Sequence, residues 1–170
     1  MAEVSRRLGV TVAAPYRHFA DRDDLLAAVG VRALRTFAAV LAAETAGTGA
    51  PEQRLAAMAR AYVRFAAEQR PLFETVFGTG IDKSRYPEYR LAYESFEEAY
   101  MSCVREICVA DTAGADALAA ALEATVHGHA ALLIDGSFGP GEDAVRAASD
   151  QAAGVTLALI QGRGALQQPD

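Results

Sequence analysis

Apolar residues recur at intervals of three and four along most of this chain, the spacing that gathers them on one face of an α-helix. Ala2 to Leu8 opens the series as a short helix with Val4 and Leu8 in i,i+4 register. Gly9 ends it, because glycine tolerates the left-handed geometry at a helix C-terminus. Thr11 fits the N-cap of a second helix over Val12–His18, with Pro15 in its first turn, where a missing N–H is tolerated. Asp21 is the next N-cap, and Asp23 and Asp24 follow where the helix dipole favours negative charge. The third helix then runs long, through Leu25, Leu26, Val29, Leu34, Phe37 and Leu41 to about Thr45.

Gly47 to Pro51 is the first clear break. Pro51 opens a helix through Leu55, Met58, Ala59, Tyr62 and Phe65, and Pro71 stands near the start of a short one ending around Phe77 and Gly78. Thr79 to Pro87 reads as a loop. The helical period returns from Glu88 to Val109, with Tyr89, Tyr93, Phe96, Tyr100, Val104 and Ile107 in step. Asp111 to Gly114 is a turn and cap before an apolar helix over Ala115–Ile134. Gly136, Gly139, Pro140 and Gly141 break the pattern, a last helix covers Glu142 to Ile160, and the tail after Gly162 is expected to fray. No alternating run or hairpin turn marks a strand. The expected fold is all-α: two short helices around a glycine turn over 1–24, a connecting helix over 25–46, and a larger helical domain over 51–163.

Composition supports this. Hydrophobic residues make up 52 % of the 170, so the chain has enough apolar surface for a real core. Alanine dominates that fraction and costs least to hold in a helix. Residues 1–20 hold Arg6, Arg7 and Arg17 against Glu3, a local charge of +2 on a chain of net charge −6. A basic head on an acidic body suits reading of one DNA site rather than coating of nucleic acid. Cys103 and Cys108 are five apart and form no CxxC, so neither a zinc site nor a redox motif is suggested. No signal peptide is recognisable. The longest apolar stretch, Ala124 to Ile134, is short and carries two histidines, so no membrane span is expected.

The segment with chemistry in it is Gly9-Val10-Thr11-Val12-Ala13-Ala14-Pro15-Tyr16-Arg17-His18-Phe19, followed by Ala20-Asp21-Arg22-Asp23-Asp24-Leu25-Leu26. Two short helices around a glycine turn are the helix-turn-helix arrangement, whose second helix enters the major groove. Small residues at Ala13 and Ala14 permit close approach to bases. Thr11 and Tyr16 can hydrogen-bond phosphates, and Arg17 and Arg22 can pair with them. With Val12 and His18 these form the expected DNA-contacting set. Val10 and Phe19 read as core residues fixing the angle between helices. On spacing alone, an ordinary helical hairpin stays open.

The same stretch closely resembles the TetR/AcrR family of bacterial repressors: alanine-rich helix, Gly-Val-Thr, a short helix ending in Tyr-Arg-His-Phe, then an arginine before the Leu25-Leu26 pair. Tyr62 to Phe77 resembles the regulatory domain of a subgroup with a C-terminal Trp-His-Gly element, and Thr125-Val126-His127-Gly128 is similar to that element, although the chain has no tryptophan. The resemblance implies a cytoplasmic, ligand-responsive repressor that binds double-stranded operator DNA and leaves it on binding a small-molecule inducer. Family members carry a further helix before the position of Ala2, which braces the head. Its absence here implies either omitted upstream residues, which we favour, or a shortened member acting as a dimeric helical binding module.

By the same resemblance, homodimerisation would use the helices near 115–134 and 142–160, with Gly128 and Gly154 allowing close approach. Two heads would then reach successive major grooves, about 34–36 Å apart. The inducer pocket would lie between Pro51 and Val109, among aromatic residues suited to a flat or greasy molecule. Its expected lining is Tyr62, Phe65, Phe73, Phe77, Tyr89, Tyr93 and Phe96, with His127 projecting from a neighbouring helix; Tyr86 and Tyr100 belong to the same aromatic cluster. No catalytic residue, cofactor or metal is expected. Glu123 and His127 stand i,i+4, but His129 lies about 200° round the helix from His127, and there is no HExxH.

Overall fold

Asp21 starts the longest helix. Its carboxylate accepts a hydrogen bond from the Asp24 backbone N–H at 2.8 Å, and the Asp24 carboxylate accepts one from the Ala20 N–H at 3.0 Å. This reciprocal pair satisfies one donor that a helix N-terminus leaves orphaned, the Asp24 N–H, and that of Ala20 just before the cap. In the computed structural model, which describes residues 6, 9, 11, 13–47 and 49–167, the helix it opens is α1, Arg22–Thr45. Five more follow: α2 (Pro51–Glu68), α3 (Arg70–Gly78), α4 (Pro87–Ile107), α5 (Thr112–Ile134) and α6 (Glu142–Gln161). Among the described residues there is no strand, and the fold is all-α.

Local chemistry explains the boundaries. Prolines open α2 and α4 and stand second in α3, where no intrahelical N–H is required. The Asp111 carboxylate caps α5 by accepting from the Gly114 N–H at 2.9 Å. That helix ends with Gly136 at φ 83°. The Gly136 N–H reaches the Leu133 carbonyl and the Ser137 N–H reaches that of Leu132, a Schellman cap that needs the left-handed residue glycine allows.

The second helix is the centre of the body and touches each of the other five. Its most extensive partner is α6. Ala56, Ala59 and Ala66 of α2 are buried, as are Ala144, Ala148 and Ala152 of α6, which form an i,i+4 stripe. Alanine faces let two helix axes come close. The main core centres on Phe37 of α1. Its ring stacks on Phe65 at 4.1 Å between centroids and leans on Tyr62 at 5.0 Å and Phe96 at 4.9 Å. A second core joins Leu55, Val104, Leu118, Leu122 and Ile160 with Cys103 and Cys108, both of which are buried free thiols.

Three expectations change. Over Val12–His18 the described residues form a 3-10 turn at Pro15–Arg17 instead of an α-helix. Its bonds run from Ala14 N–H to the Thr11 carbonyl and from Arg17 N–H to that of Ala14, each spanning three residues. Pro15 brings no N–H, and a segment this short gains little from helix propagation. Of the helix expected over Ala2–Leu8, Arg6 alone is described, as helical, and Val10 and Val12 lie outside the described residues. At the other end the tail forms a second 3-10 turn, Arg163–Gln167, that lies against α5. The Arg163 guanidinium anchors it by donating to the Ile160 carbonyl at 2.9 Å. Finally, α1 and α5 are each long and apolar enough to cross a membrane by length and composition. Core helices pass the same test, and here α1 buries Leu34, Phe37 and Leu41 while α5 buries Leu118, Leu122 and Leu133.

The cap at Asp21 is also an ion pair. Arg85 Nη2 lies 2.6 Å from Asp21 Oδ2 and 3.8 Å from Asp24. The Asp24 N–H, then Arg85, hold the Asp21 carboxyl below its ordinary value of 3.8. A carboxyl depressed by folding adds stability above its unfolded pKa and loses it as pH falls through the folded one. Asp21→Asn keeps a capping side chain but loses the charge. Thermal melts are expected to show a constant deficit for this variant at neutral pH, and the deficit should close as pH drops below about 4. A gap that persists at the acid end would assign the loss to capping geometry alone.

Candidate functional site

All six helices contribute to one aromatic cavity of about 80 Å³. From α2 come Leu55, Met58, Ala59 and Tyr62, and from α4 come Tyr93, Phe96, Glu97 and Tyr100. The remaining wall is Leu41 of α1, Phe77 of α3, Leu122, Glu123 and Val126 of α5, and Thr156 of α6. The wall from α4 follows from register, since positions 93, 96, 97 and 100 are i, i+3, i+4 and i+7 on one helix face.

Of the residues expected to line a pocket, Tyr62, Phe77, Tyr93 and Phe96 do so. The other four stand elsewhere. Phe65 is turned to Phe37 in the core. Phe73 stacks on the His127 ring at 5.6 Å, behind the wall. Tyr89 is buried with its hydroxyl donating to the Val76 carbonyl at 3.1 Å. His127 packs against Phe73 and Phe77, and its Nδ1 is 2.9 Å from the Tyr62 hydroxyl. It therefore orients a cavity residue instead of facing the cavity. His129 points away, with Nδ1–H donating to the Thr125 carbonyl at 2.8 Å. Among the described residues no group of three or more His, Cys, Asp or Glu could hold a metal ion.

Sequence reasoning missed Glu97, Glu123 and Thr156. The signal was present for Glu97: a carboxylate falls on the same helical stripe as Tyr93, Phe96 and Tyr100. Burial raises the Tyr62 phenol far above its usual value, with Glu123 adding to the effect. Tyr93 and Tyr100 are raised for the same reasons, burial first and then Glu123 and Glu97. All three phenols keep their protons at neutral pH, so the cavity offers neutral hydroxyls beside the side chains of Glu97 and Glu123.

A second cleft of about 270 Å³ lies where the N-terminal segment meets the body, lined by Phe19, Ala27, Ala28, Val31, Tyr86 and Tyr89 among others. Phe19 is half-buried there. In the segment before it, Thr11, Ala13, Tyr16, Arg17 and His18 are exposed and Ala14 is half-buried. Arg22 is exposed and pairs loosely with Asp23 at 3.7 Å. One loop touches both regions. Lys83 sets its ammonium 3.0 Å from the centroid of the cavity residue Tyr93, and two residues later Arg85 holds the Asp21 cap of α1.

Residues 55–156 match the family model described as "Tetracyclin repressor-like, C-terminal domain". No curated protein matches the chain. A solved protein of unknown function from Rhodococcus sp. RHA1 is similar to it, with 30% identity and a TM-score of 0.64, covering 90% of this chain and 82% of that one. The matched segment contains nearly the whole cavity wall, from Leu55 to Thr156. The chain belongs to the tetracyclin repressor-like family, a family of ligand-binding regulators.

Proposed function

We propose that this chain is a ligand-responsive, DNA-binding transcriptional regulator, a cytoplasmic homodimer that represses until a small molecule enters the aromatic cavity. The observation that carries this reading is the cavity itself, built from all six helices inside the regulator-family domain. The loop over 79–86 supports a route from it to the head. A ligand that shifts Tyr93 moves Lys83, and with it the Arg85 that fixes the start of α1. Tyr62, Phe77, Tyr93 and Phe96 serve as the ligand-contacting aromatics, with Phe65, Phe73, Tyr89 and His127 as their support. His127, in the segment similar to a Trp-His-Gly element, does its part through the bond to Tyr62.

The exposed Thr11, Tyr16, Arg17, His18 and Arg22, with Val12, Ala13 and Ala14, supply the DNA contacts. For the dimer, α5 and α6 offer open positions: a Cβ at Gly128 or Gly154 would meet nothing within 4 Å of its own chain, and Leu132 is exposed. Those glycines are thus not needed for packing within one subunit, which leaves their smallness to a contact between subunits.

The test is a mobility shift of the protein on a fragment of its own promoter region at low salt. A specific shift over random DNA is expected. Arg17→Ala should weaken specific and random binding alike and reduce the salt slope by about 1, as the loss of one phosphate contact does. The 3-10 turn at Pro15–Arg17 favours one alternative, a dimeric binding module that does not bind DNA. Absence of any specific shift by an intact dimer would establish that alternative.

A further inference from the structure

The cavity wall carries two carboxylates and no basic side chain. Glu97 is half-buried and Glu123 is exposed at the cavity mouth. Neither has an ion-pair or hydrogen-bond partner among the described residues, whereas the acidic side chains of Glu44, Glu94, Glu98, Glu106 and Asp150 each hold an arginine. The rest of the wall is aliphatic or aromatic, with three tyrosines and two phenylalanines. One further polar atom is unaccounted for. Thr156 is 1 % exposed, and its hydroxyl has no hydrogen-bond partner. An unmet hydroxyl at such a place costs free energy until something arrives to bond it.

We infer that the ligand of this cavity is a lipophilic organic cation, an aryl or alkyl ammonium whose charge faces Glu97 and Glu123 and whose body lies against Tyr62, Tyr93, Phe96 and Tyr100, with a hydrogen-bonding group that meets Thr156. The chemistry is selective. An anion would meet two uncompensated carboxylates, and a neutral hydrocarbon would gain from the rings but leave both charges beside it in a drier site. A cation gains from the carboxylates and from the negative faces of the rings. The Tyr93 ring already takes a cation, the ammonium of Lys83, the sole lysine of the chain. A cationic ligand therefore competes with the same group whose movement the proposed regulation uses. This inference deepens the ligand-responsive reading and rests on it.

The test compares three probes of similar shape: benzyltrimethylammonium, its neutral carbon isostere neopentylbenzene, and phenylmethanesulfonate. Binding is followed by tyrosine emission, since the chain has no tryptophan. The cation is expected to bind at least about tenfold more tightly than the neutral isostere, about 1.4 kcal/mol, and the anion more weakly than either. In the Glu97→Gln/Glu123→Gln protein the cation should lose that advantage while neopentylbenzene still binds, which separates lost charge from lost fold. Replacing one methyl of the cation by 2-hydroxyethyl should tighten binding, and Thr156→Val should abolish the gain. Equal or tighter binding of the neutral or anionic probe to the unmodified protein would overturn the cation class and leave the regulator reading intact. A cation preference that survives the double substitution would overturn its assignment to these carboxylates. No binding of any probe would also overturn the inference, and the promoter shift would still decide the regulator reading on its own.

Discussion

Phe37→Ala is expected to lower stability by about 3–5 kcal/mol, the usual cost of removing a fully buried phenylalanine. Phe37 has no exposed surface. Its ring touches three others, one in a near-parallel stack on Phe65 with 6° between planes. Two of its neighbours, Tyr62 and Phe96, are also cavity walls. The void left by the ring would therefore adjoin a space that already exists, and the structure around it has little with which to collapse. For a domain whose whole stability is about 5–15 kcal/mol, such a loss is a large fraction. Urea unfolding should show a much lower midpoint with the slope m unchanged, since the fold buries the same surface otherwise. Tyr16→Ala, at an exposed position, should move the midpoint little. A loss below about 1 kcal/mol for Phe37→Ala would mean that the aromatic layer repacks and that the cavity is softer than its geometry implies.

Gly30→Ala carries the second large effect, through the opposite error of overfilling. Gly30 lies inside α1, where glycine is ordinarily a liability of about 1 kcal/mol relative to alanine. A Cβ there would stand 2.5 Å from Tyr89 Cε2 and 2.9 Å from Cδ2, with Ile81 Cδ1 at 3.1 Å. Tyr89 cannot swing aside cheaply, because it is buried and its hydroxyl is tied to the Val76 carbonyl. We expect a net loss of about 1–3 kcal/mol, with the gain in helix propensity offsetting only part of the strain. The control is Gly154→Ala, also mid-helix, where nothing lies within 4 Å in the chain. Within one subunit it should stabilise slightly. If it instead weakens the dimer, measured by sedimentation at falling concentration, Gly154 belongs to the subunit interface. Combining Gly30→Ala with Tyr89→Ala should cost less than the sum of the two singles, because both act on one contact. Full additivity would dissociate Gly30 from Tyr89.

Much of this architecture is written locally. The cap at Asp21, the prolines opening α2 and α4, the turn at Asp111 and the break at Gly136 each act through atoms within a few residues, so single-sequence reasoning reaches them. The same holds for the period of three and four that marks each helix. The Pro15–Arg17 turn was harder. The motif there implies a helix, while the local chemistry of Pro15 and the short bonds of Ala14 and Arg17 make a tighter turn. Motif resemblance speaks of the family's arrangement, and local backbone geometry speaks of this chain's described residues.

The site was legible by type and not by membership. The aromatic stripe of α4 announced an apolar wall, yet of eight residues put forward, four line the cavity. Helical periodicity tells which side chains point inward; it cannot tell which inward face meets a neighbour and which meets a gap. That depends on how six helices cross. Phe65 and Tyr62 are one turn apart on α2, but Phe37 fills the space before Phe65, whereas Tyr62 borders the opening. Glu97 shares the α4 stripe with Tyr93, Phe96 and Tyr100, but only the arrival of Glu123 from α5 and Thr156 from α6 at the same opening gives it a chemical role. The sequence by itself thus determined the helices, their caps and the kind of protein, because those rest on contacts within a turn or two. Which side chains share a cavity, why Gly30 must be glycine, and how Lys83 and Arg85 join that cavity to the start of α1 were decided by tertiary packing, which brings together residues as far apart in sequence as Leu41 and Thr156 and has no local signature.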